Sequence, residues 1–300
     1  MGFRPSKAVN AAMPTQMRLE TGSDYIAQAK ESEESSMEYP VLTPEEAKLP
    51  YAKYFNQPLA PIPQEKLDIW QGEAAPAESA LPFADRAKFQ KSDVPGLENG
   101  FTIAPDGTGF VANTTFMPGV TAEMFDWWFG WHSVGPDLRY KLWDHDDHYY
   151  ARAHDPEYVL NPDVPVSQKT WGMNHQILEN IGLGGPEDLL LCFRRPSEIG
   201  YDESLLGTDD CQAMVCAYGL GGAPAVMTHL ARKAEGGILF CSRFWMGYGP
   251  DENGNLVKLL PDGVSVPENF PRALYGHNIK EYSNLAAILP SIYAEEKDNW

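Results

Sequence analysis

The stretch Tyr275-Gly-His-Asn-Ile-Lys-Glu-Tyr282 lies inside a run, residues 272–289, that reads as a long helix near the end of the 300-residue chain. Pro290 is expected to stop or kink it, because proline lacks the N–H that bonds back one turn. His277 and Glu281 are four residues apart, so on a helix both side chains leave from one face. An imidazole and a carboxylate so placed supply half of a divalent-metal site. Taken alone, the pair reads more simply as an exposed hydrogen-bonded couple. It becomes a site only with partners from elsewhere.

Upstream of this helix the pattern changes from helical to strand-like. Phe101-Thr-Ile-Ala104 and Gly109-Phe-Val-Ala-Asn-Thr-Thr115 flank Pro105-Asp-Gly-Thr108, a hairpin turn signal. A helix is expected over 121–131, opened by Thr121 and Glu123, with Phe125, Trp128, Phe129 and His132 on one face. Further strands are expected at 176–181, 188–194, 211–218, 225–232 and 238–247, separated by short polar or glycine-containing loops. An early helix, a run of antiparallel strands and a long last helix describe an α+β fold. A curved sheet gripping the last helix would leave a cavity between them.

Residues 1–95 differ in composition, being rich in proline, alanine and acidic residues. They are expected to form a mostly irregular arm with helical pieces near 23–29 and 44–55, the second capped by Thr43. The arm should wrap the core or a second subunit, suggesting a homodimer, and its first ~20 residues are expected to be disordered. Residues 96–300 then form the catalytic domain. A net charge of −19 with no basic run argues against a nucleic-acid partner. No apolar stretch approaches the ~20 residues of a membrane span, and the N-terminus has no secretory-type apolar core. A cytoplasmic protein is expected. Cys192, Cys211, Cys216 and Cys241 fall in apolar runs without C-x-x-C spacing and read as buried reduced thiols.

The seven histidines all lie between 132 and 277. Candidate partners for the helix pair are His148, in Trp143-Asp-His-Asp-Asp-His-Tyr-Tyr150, and Glu179, in His175-Gln-Ile-Leu-Glu-Asn-Ile-Gly182. Two imidazoles and two carboxylates make a mixed site suited to zinc, and also to Fe(II), Mn or Co. By themselves, residues 143–150 read equally as a solvated acidic loop and Glu179 as a strand-face carboxylate. His145 is expected outside the site. His132 suits either the pocket or the core, and His154 and His175 read as surface or structural.

Four motifs in order carry a resemblance: Phe125-Asp-Trp-Trp-Phe-Gly-Trp-His132, Leu138-Arg-Tyr-Lys-Leu-Trp-Asp-His-Asp-Asp-His148, Glu179-Asn-Ile-Gly182 and the His277/Glu281 helix. Over roughly residues 100–290 the chain resembles the 2,4-diacetylphloroglucinol hydrolase family, which includes phloretin hydrolase. The resemblance implies a Bet v 1-like (helix-grip) domain that binds zinc through His148, Glu179, His277 and Glu281. It implies hydrolysis of the carbon–carbon bond joining an acyl group to a phloroglucinol-type phenolic ring, a step of polyketide degradation. Tyr140 matches a substrate-contacting tyrosine and His229 an additional active-site histidine. The chain departs from the pattern at Ala151, where family members can carry an asparagine.

Such a reaction avoids an aryl carbanion by protonating the acyl-bearing ring carbon, so that water attack on the acyl carbonyl expels a stabilised enolate. A zinc ion would polarise an oxygen and acidify water to a pKa of about 7. His229 and Tyr140, with His132 in a lesser role, would handle hydroxyls and the proton. Trp128 and Phe244 would pack the ring. Two other readings remain: a non-catalytic carrier of hydrophobic ligands, and a metal-dependent oxygenase of phenols.

Overall fold

The hairpin at Pro105 starts an eight-stranded antiparallel sheet. In the computed structural model, which describes residues 39–221 and 223–300, β1 (Gly100–Ile103) pairs with β2 (Gly109–Pro118). The chain then crosses to the opposite edge through α-helical segments. It returns strand by strand along β3 (His148–Ala153), β4 (Asn174–Glu179), β5 (Glu187–Arg194), β6 (Ala213–Leu220), β7 (Ala225–Ala234) and β8 (Gly237–Met246). The spatial order is β1-β2-β8-β7-β6-β5-β4-β3, with β8 closing onto β2. A small hairpin, β9 (Tyr248–Pro250) and β10 (Leu256–Lys258), follows. The expected strands all occur, with ends shifted by one to three residues.

The helices are α1 (Ala52–Phe55), α2 (Gln64–Gln71), α3 (Ala122–Trp131), α4 (Leu138–Lys141), α5 (Pro156–Leu160) and α6 (Asn269–Glu296). Thr121 caps α3 as its sequence predicts, its hydroxyl accepting from the Met124 N–H. The final helix α6 packs against β1, β2 and α3, and its apolar face joins the aromatic residues of α3 in the main core. It continues past Pro290, which therefore does not stop it, and ends seven residues later than 289. Ile288, Leu289 and Ile292 are buried on both sides of the proline. Their packing outweighs the ~3 kcal/mol that an interior proline costs a helix.

The described part of the arm, from residue 39 onward, lies on its own chain's core. Expected at 44–55 as one helix, the segment is a 3-10 turn over Glu46–Lys48 followed by α1, because Pro50 interrupts it. Thr43 still caps the first piece: its hydroxyl accepts from the Glu46 N–H, and the Glu46 carboxylate accepts from the Thr43 N–H. Glu46 also pairs with Lys141 at 2.8 Å with both side chains buried. The indole of Trp70 rests on α6 at Gly276, where an added Cβ would meet Trp70 Cε2 at 2.5 Å. The helix expected at 23–29 and the disorder expected in the first residues lie outside the described residues. All four cysteines are free and buried, as their apolar surroundings predict.

The segment left open as a solvated loop, residues 143–150, is resolved into two parts. Asp144 to Asp147 form a turn, and His148 opens the edge strand β3. A bulge between His148 and Tyr150 shifts the register.

Candidate active site

Cross-strand pairing brings the first two ligand candidates together. His148 and Glu179 are direct partners in the β3–β4 register, although 31 positions apart in the chain. The helix α6 passes over them and adds His277 and Glu281 from one face. His148 Nε2 stands 3.2 Å from His277 Nε2, 3.8 Å from Glu179 Oε2 and 3.7 Å from Glu281 Oε2. His277 Nε2 is 4.0 Å from each of the two carboxylate oxygens. Nitrogen and oxygen ligands held ~2.0–2.2 Å from a tetrahedral ion stand roughly 3.3–3.6 Å apart. His148, His277 and Glu281 offer ligand atoms that all lie within 4.8 Å of one another, and Glu179 Oε2 stands 3.8–4.0 Å from the two imidazoles but farther from Glu281, so a divalent cation fits once the Glu179 carboxylate closes in.

Each of the four is oriented by another group. The Nδ1–H of His148 donates to the Tyr140 carbonyl at 3.3 Å, which turns Nε2 toward the centre. The Tyr140 ring lies flat on the His148 imidazole, centroids 4.1 Å apart and planes 3° from parallel. Its hydroxyl donates to Glu179 Oε2. Asp147 Oδ2 lies 3.5 Å from His277 Nδ1, and Lys280 pairs with both Asp147 and Asp144. Glu281 Oε1 accepts from Asn278 Nδ2 at 2.9 Å.

That last contact is the end of a longer chain. Lys66 Nζ on α2 donates to Asn113 Oδ1 at 2.6 Å, Asn113 Nδ2 donates to Asn278 Oδ1 at 2.8 Å, and Asn278 donates to Glu281. Every donor points toward the carboxylate, so the three bonds polarise one another in the same sense. All four residues are buried. The arm thus delivers a cation's influence to Glu281 through two amides.

The electrostatics of the cluster follow from burial and charge. Burial, helped by the neighbouring His277, holds His148 well below the usual imidazole range. Burial works to lower His277 as well, but Asp147, Glu281, Glu179 and Asp144 outweigh it and hold it up at about 10. Burial raises Glu281 well above the usual carboxylate range. A positive charge is what this centre favours, and a divalent cation would supply it in place of the proton.

Three of the ligand candidates, Glu179, His277 and Glu281, line a mostly apolar cavity between the sheet and α6. It measures about 110 Å3 by the positions open to water centres, room for a small organic molecule rather than a single water. Tyr140, His132, His229 and Phe244 line it. His229 Nδ1 is 2.9 Å from the Ser242 hydroxyl and its Nε2 is 3.1 Å from the Tyr282 hydroxyl. The ring stacks on Phe129 with centroids 5.5 Å apart, and Phe244 meets it edge-on at 5.6 Å. Burial lowers His229 to about 3 and His132 to about 4, so both are neutral near pH 7.

Two sequence expectations change. Trp128, expected against the substrate ring, is fully buried behind the cavity among Trp127, Trp131 and Trp143; Phe129 and Trp143 line the wall instead. The face of α3 was read correctly, but its larger indole turns into the core. His175, read as surface or structural, lines the cavity and is 1% exposed. His145 is outside the site as expected, yet it lies in the turn before β3 and not on a strand's outer face. Its Nε2 contacts the Gln57 carbonyl of the arm at 3.0 Å. His154 is exposed. Tyr282, Asp147, Lys280 and Asn278 were missed, although Asn278 and Tyr282 fall on the His277/Glu281 stripe of α6 and its periodicity points to them.

Comparison with known proteins identifies the family. Residues 81–294 match the family described as the DAPG hydrolase PhiG domain. The chain is 56% identical over 257 residues to phloretin hydrolase of Eubacterium ramulus, covering 85% of this chain and 93% of that one. It is 27% identical over 264 residues to 2,4-diacetylphloroglucinol hydrolase of a Pseudomonas species, covering 82% and 88%. Among solved structures, the di-domain ARO/CYC StfQ from the steffimycin biosynthetic pathway aligns with a TM-score of 0.33 at 9% identity, over 65% of this chain and 54% of that one. With its family match spanning the sheet, the cavity and most of α6, the chain belongs to the DAPG hydrolase family and is a hydrolase of carbon–carbon bonds in ketonic substrates.

Proposed function

We propose that this protein hydrolyses the bond between an acyl carbon and the ring carbon of a phloroglucinol-type phenol, with zinc held by His148, Glu179, His277 and Glu281. The observation that carries the reading is the convergence of two imidazole nitrogens and two carboxylate oxygens at the polar end of an apolar cavity. Phloretin and 2,4-diacetylphloroglucinol, after which the two relatives are named, are both acylated phloroglucinols. A sheet closed on one face by a long C-terminal helix, with the cavity between, supports a Bet v 1-like helix-grip architecture. When bound, the cation would supply Lewis acidity, polarising an oxygen and acidifying water.

The protein's own groups manage the ring. Tyr282, His229 and Ser242 form a row of exchangeable protons along one cavity wall. Neutral His229 takes a ring-hydroxyl proton and the row returns one to the acyl-bearing carbon, which becomes tetrahedral and flanked by ketonic carbons. Water adds to the acyl carbonyl, the carbon–carbon bond breaks, and its electron pair enters the ring as an enolate. Reprotonation restores the phenol, so the ring gains the hydrogen of water and the acyl group its hydroxyl, leaving as a carboxylic acid. Tyr140 holds a ring hydroxyl, and Phe244 and Phe129 pack the ring and exclude water.

Metal analysis, with turnover of acylphloroglucinols followed by release of the acid, tests the reading. Wild type should carry one metal per chain and release acid without consuming oxygen. Oxygen uptake in step with turnover would indicate an oxygenase, and ligand binding without metal or turnover a carrier.

A further inference from the structure

Three cavity-lining side chains carry buried polar atoms without a hydrogen-bond partner among the described residues: Trp143 at Nε1, His277 at Nδ1 and His175 at both ring nitrogens. Leaving such groups unmatched costs a folded protein their full desolvation penalty, which normally selects against them. The His175 ring packs on Phe193 at 4.4 Å and faces His132 edge-on at 6.1 Å. His132 donates from Nδ1 to the Trp128 carbonyl at 2.7 Å, which leaves its Nε2 as an acceptor. The pair therefore offers one fixed acceptor beside an imidazole that can donate or accept, a complement for a hydroxyl group.

Strand geometry fixes where that hydroxyl must be. His175, Ile177 and Glu179 alternate onto the same face of β4 and all three line the cavity. Four residues of strand put His175 roughly 13 Å along from Glu179. Between them the wall is apolar, with Ile177 and its β5 partner Leu189, and Leu191 stands level with His175. His229 stands on β7, three strands across from β4, so the ring-binding corner and the His175 corner are different parts of one cavity. An acetyl group at the metal end reaches neither the apolar wall nor His175. An acyl arm of two methylenes and an aryl ring, built from bonds of ~1.5 Å, extends along that wall and places a para-hydroxyl near its far end.

We infer that His175, supported by His132, is a specificity-determining residue that binds a phenolic hydroxyl at the far end of the substrate's acyl arm. The inference rests on the acylphloroglucinol reading above. The same chemistry is present on the phloroglucinol ring itself, so the test must separate the two sources.

Three substrates do so: 3-(4-hydroxyphenyl)propanoyl-phloroglucinol, its analogue lacking the arm hydroxyl, and acetylphloroglucinol. For the wild type, kcat/KM should favour the hydroxylated arm over its deoxy analogue by roughly 10–100-fold, because only it satisfies the buried pair. In His175→Phe the hydroxylated substrate should fall to the level of the deoxy analogue, chiefly through KM, with metal content retained. His175→Gln, which keeps a donor and an acceptor, should restore part of the preference. Equal losses for all three substrates in both variants would overturn the inference in favour of the ring hydroxyl. So would a wild type blind to the arm hydroxyl, a result that needs no variant to fold. Metal-replete wild type that turns over none of the three would overturn the hydrolase reading itself, and the inference with it.

Discussion

The two ends of β4 treat their titratable groups in opposite ways. Around Glu179 the four ligand candidates are oriented by protein groups: a tyrosine hydroxyl, a backbone carbonyl, an amide relay and a carboxylate–lysine group. At His175 the imidazole has none. The electrostatics also diverge. His277 is held up at about 10 by surrounding carboxylates that outweigh its burial, while burial alone lowers His132 to about 4, with only its bond to the Trp128 carbonyl opposing. One end is built to attract positive charge and the other to remain neutral. On the proposed reading, the end that would hold a cation before substrate arrives carries its own scaffold, and the end that would recognise substrate leaves its bonds open.

The largest effect should come from breaking the organised end. Glu281→Ala removes one ligand and strands the Asn278 donor. Metal content and kcat/KM on acylphloroglucinols should both fall by more than about 100-fold. Full zinc and full turnover in this variant would remove the metal assignment.

Next comes the relay that orients Glu281. Lys66→Met keeps the stem's packing but deletes the charge behind Asn113 and Asn278. Zinc affinity, measured by competition with a chromophoric chelator, should weaken roughly 10-fold, the scale seen for groups that orient metal ligands. An unchanged affinity would mean that the arm braces the fold without reaching the site.

The neutral end is tested by pH. His132 and His229 titrate at about 4 and about 3 in the folded protein, against an unfolded value near 6.5. Between these limits the unfolded chain binds more protons, so the stability contributed by neutral imidazoles is complete above pH 6.5. It is lost as pH falls toward 4 and then 3. Each group steepens the fall by up to ~1.4 kcal/mol per pH unit. Denaturant midpoints of wild type and His132→Phe between pH 7 and 4 would show it, the variant giving the shallower slope. Equal slopes would contradict a neutral imidazole at this position.

The smallest effect concerns the arm's grip on α6. Gly276→Ala places a methyl against the Trp70 indole, at 2.5 Å before any adjustment. Trp70 is 37% exposed and can swing outward, so the loss should stay near 1 kcal/mol in urea denaturation, with brighter exposure of the indole to quenchers.

How much of this was legible beforehand depended on how local each signal was. The Asp106-Gly107 turn, the Thr121 cap, the Thr43/Glu46 capping box and the strand runs are set within a few residues, and all appear where their chemistry places them. The His277/Glu281 pair is equally local, because helical periodicity puts both on one face. Even His175 was within reach: an even separation from Glu179 on a strand puts the two on the same side. It was misread because its neighbours gave no sign of a cavity.

The amino-acid sequence by itself determined the α+β order of elements, the ligand types and the family to which they belong. Tertiary structure alone decided that His148 faces Glu179 through a bulged register, that α6 runs past Pro290 to cover them, and that Lys66 in the arm reaches Glu281. The physical reason is range. Turns, caps and periodicity are fixed by neighbours along the chain, whereas register, burial and the partners of buried polar groups depend on which distant surfaces exclude water together.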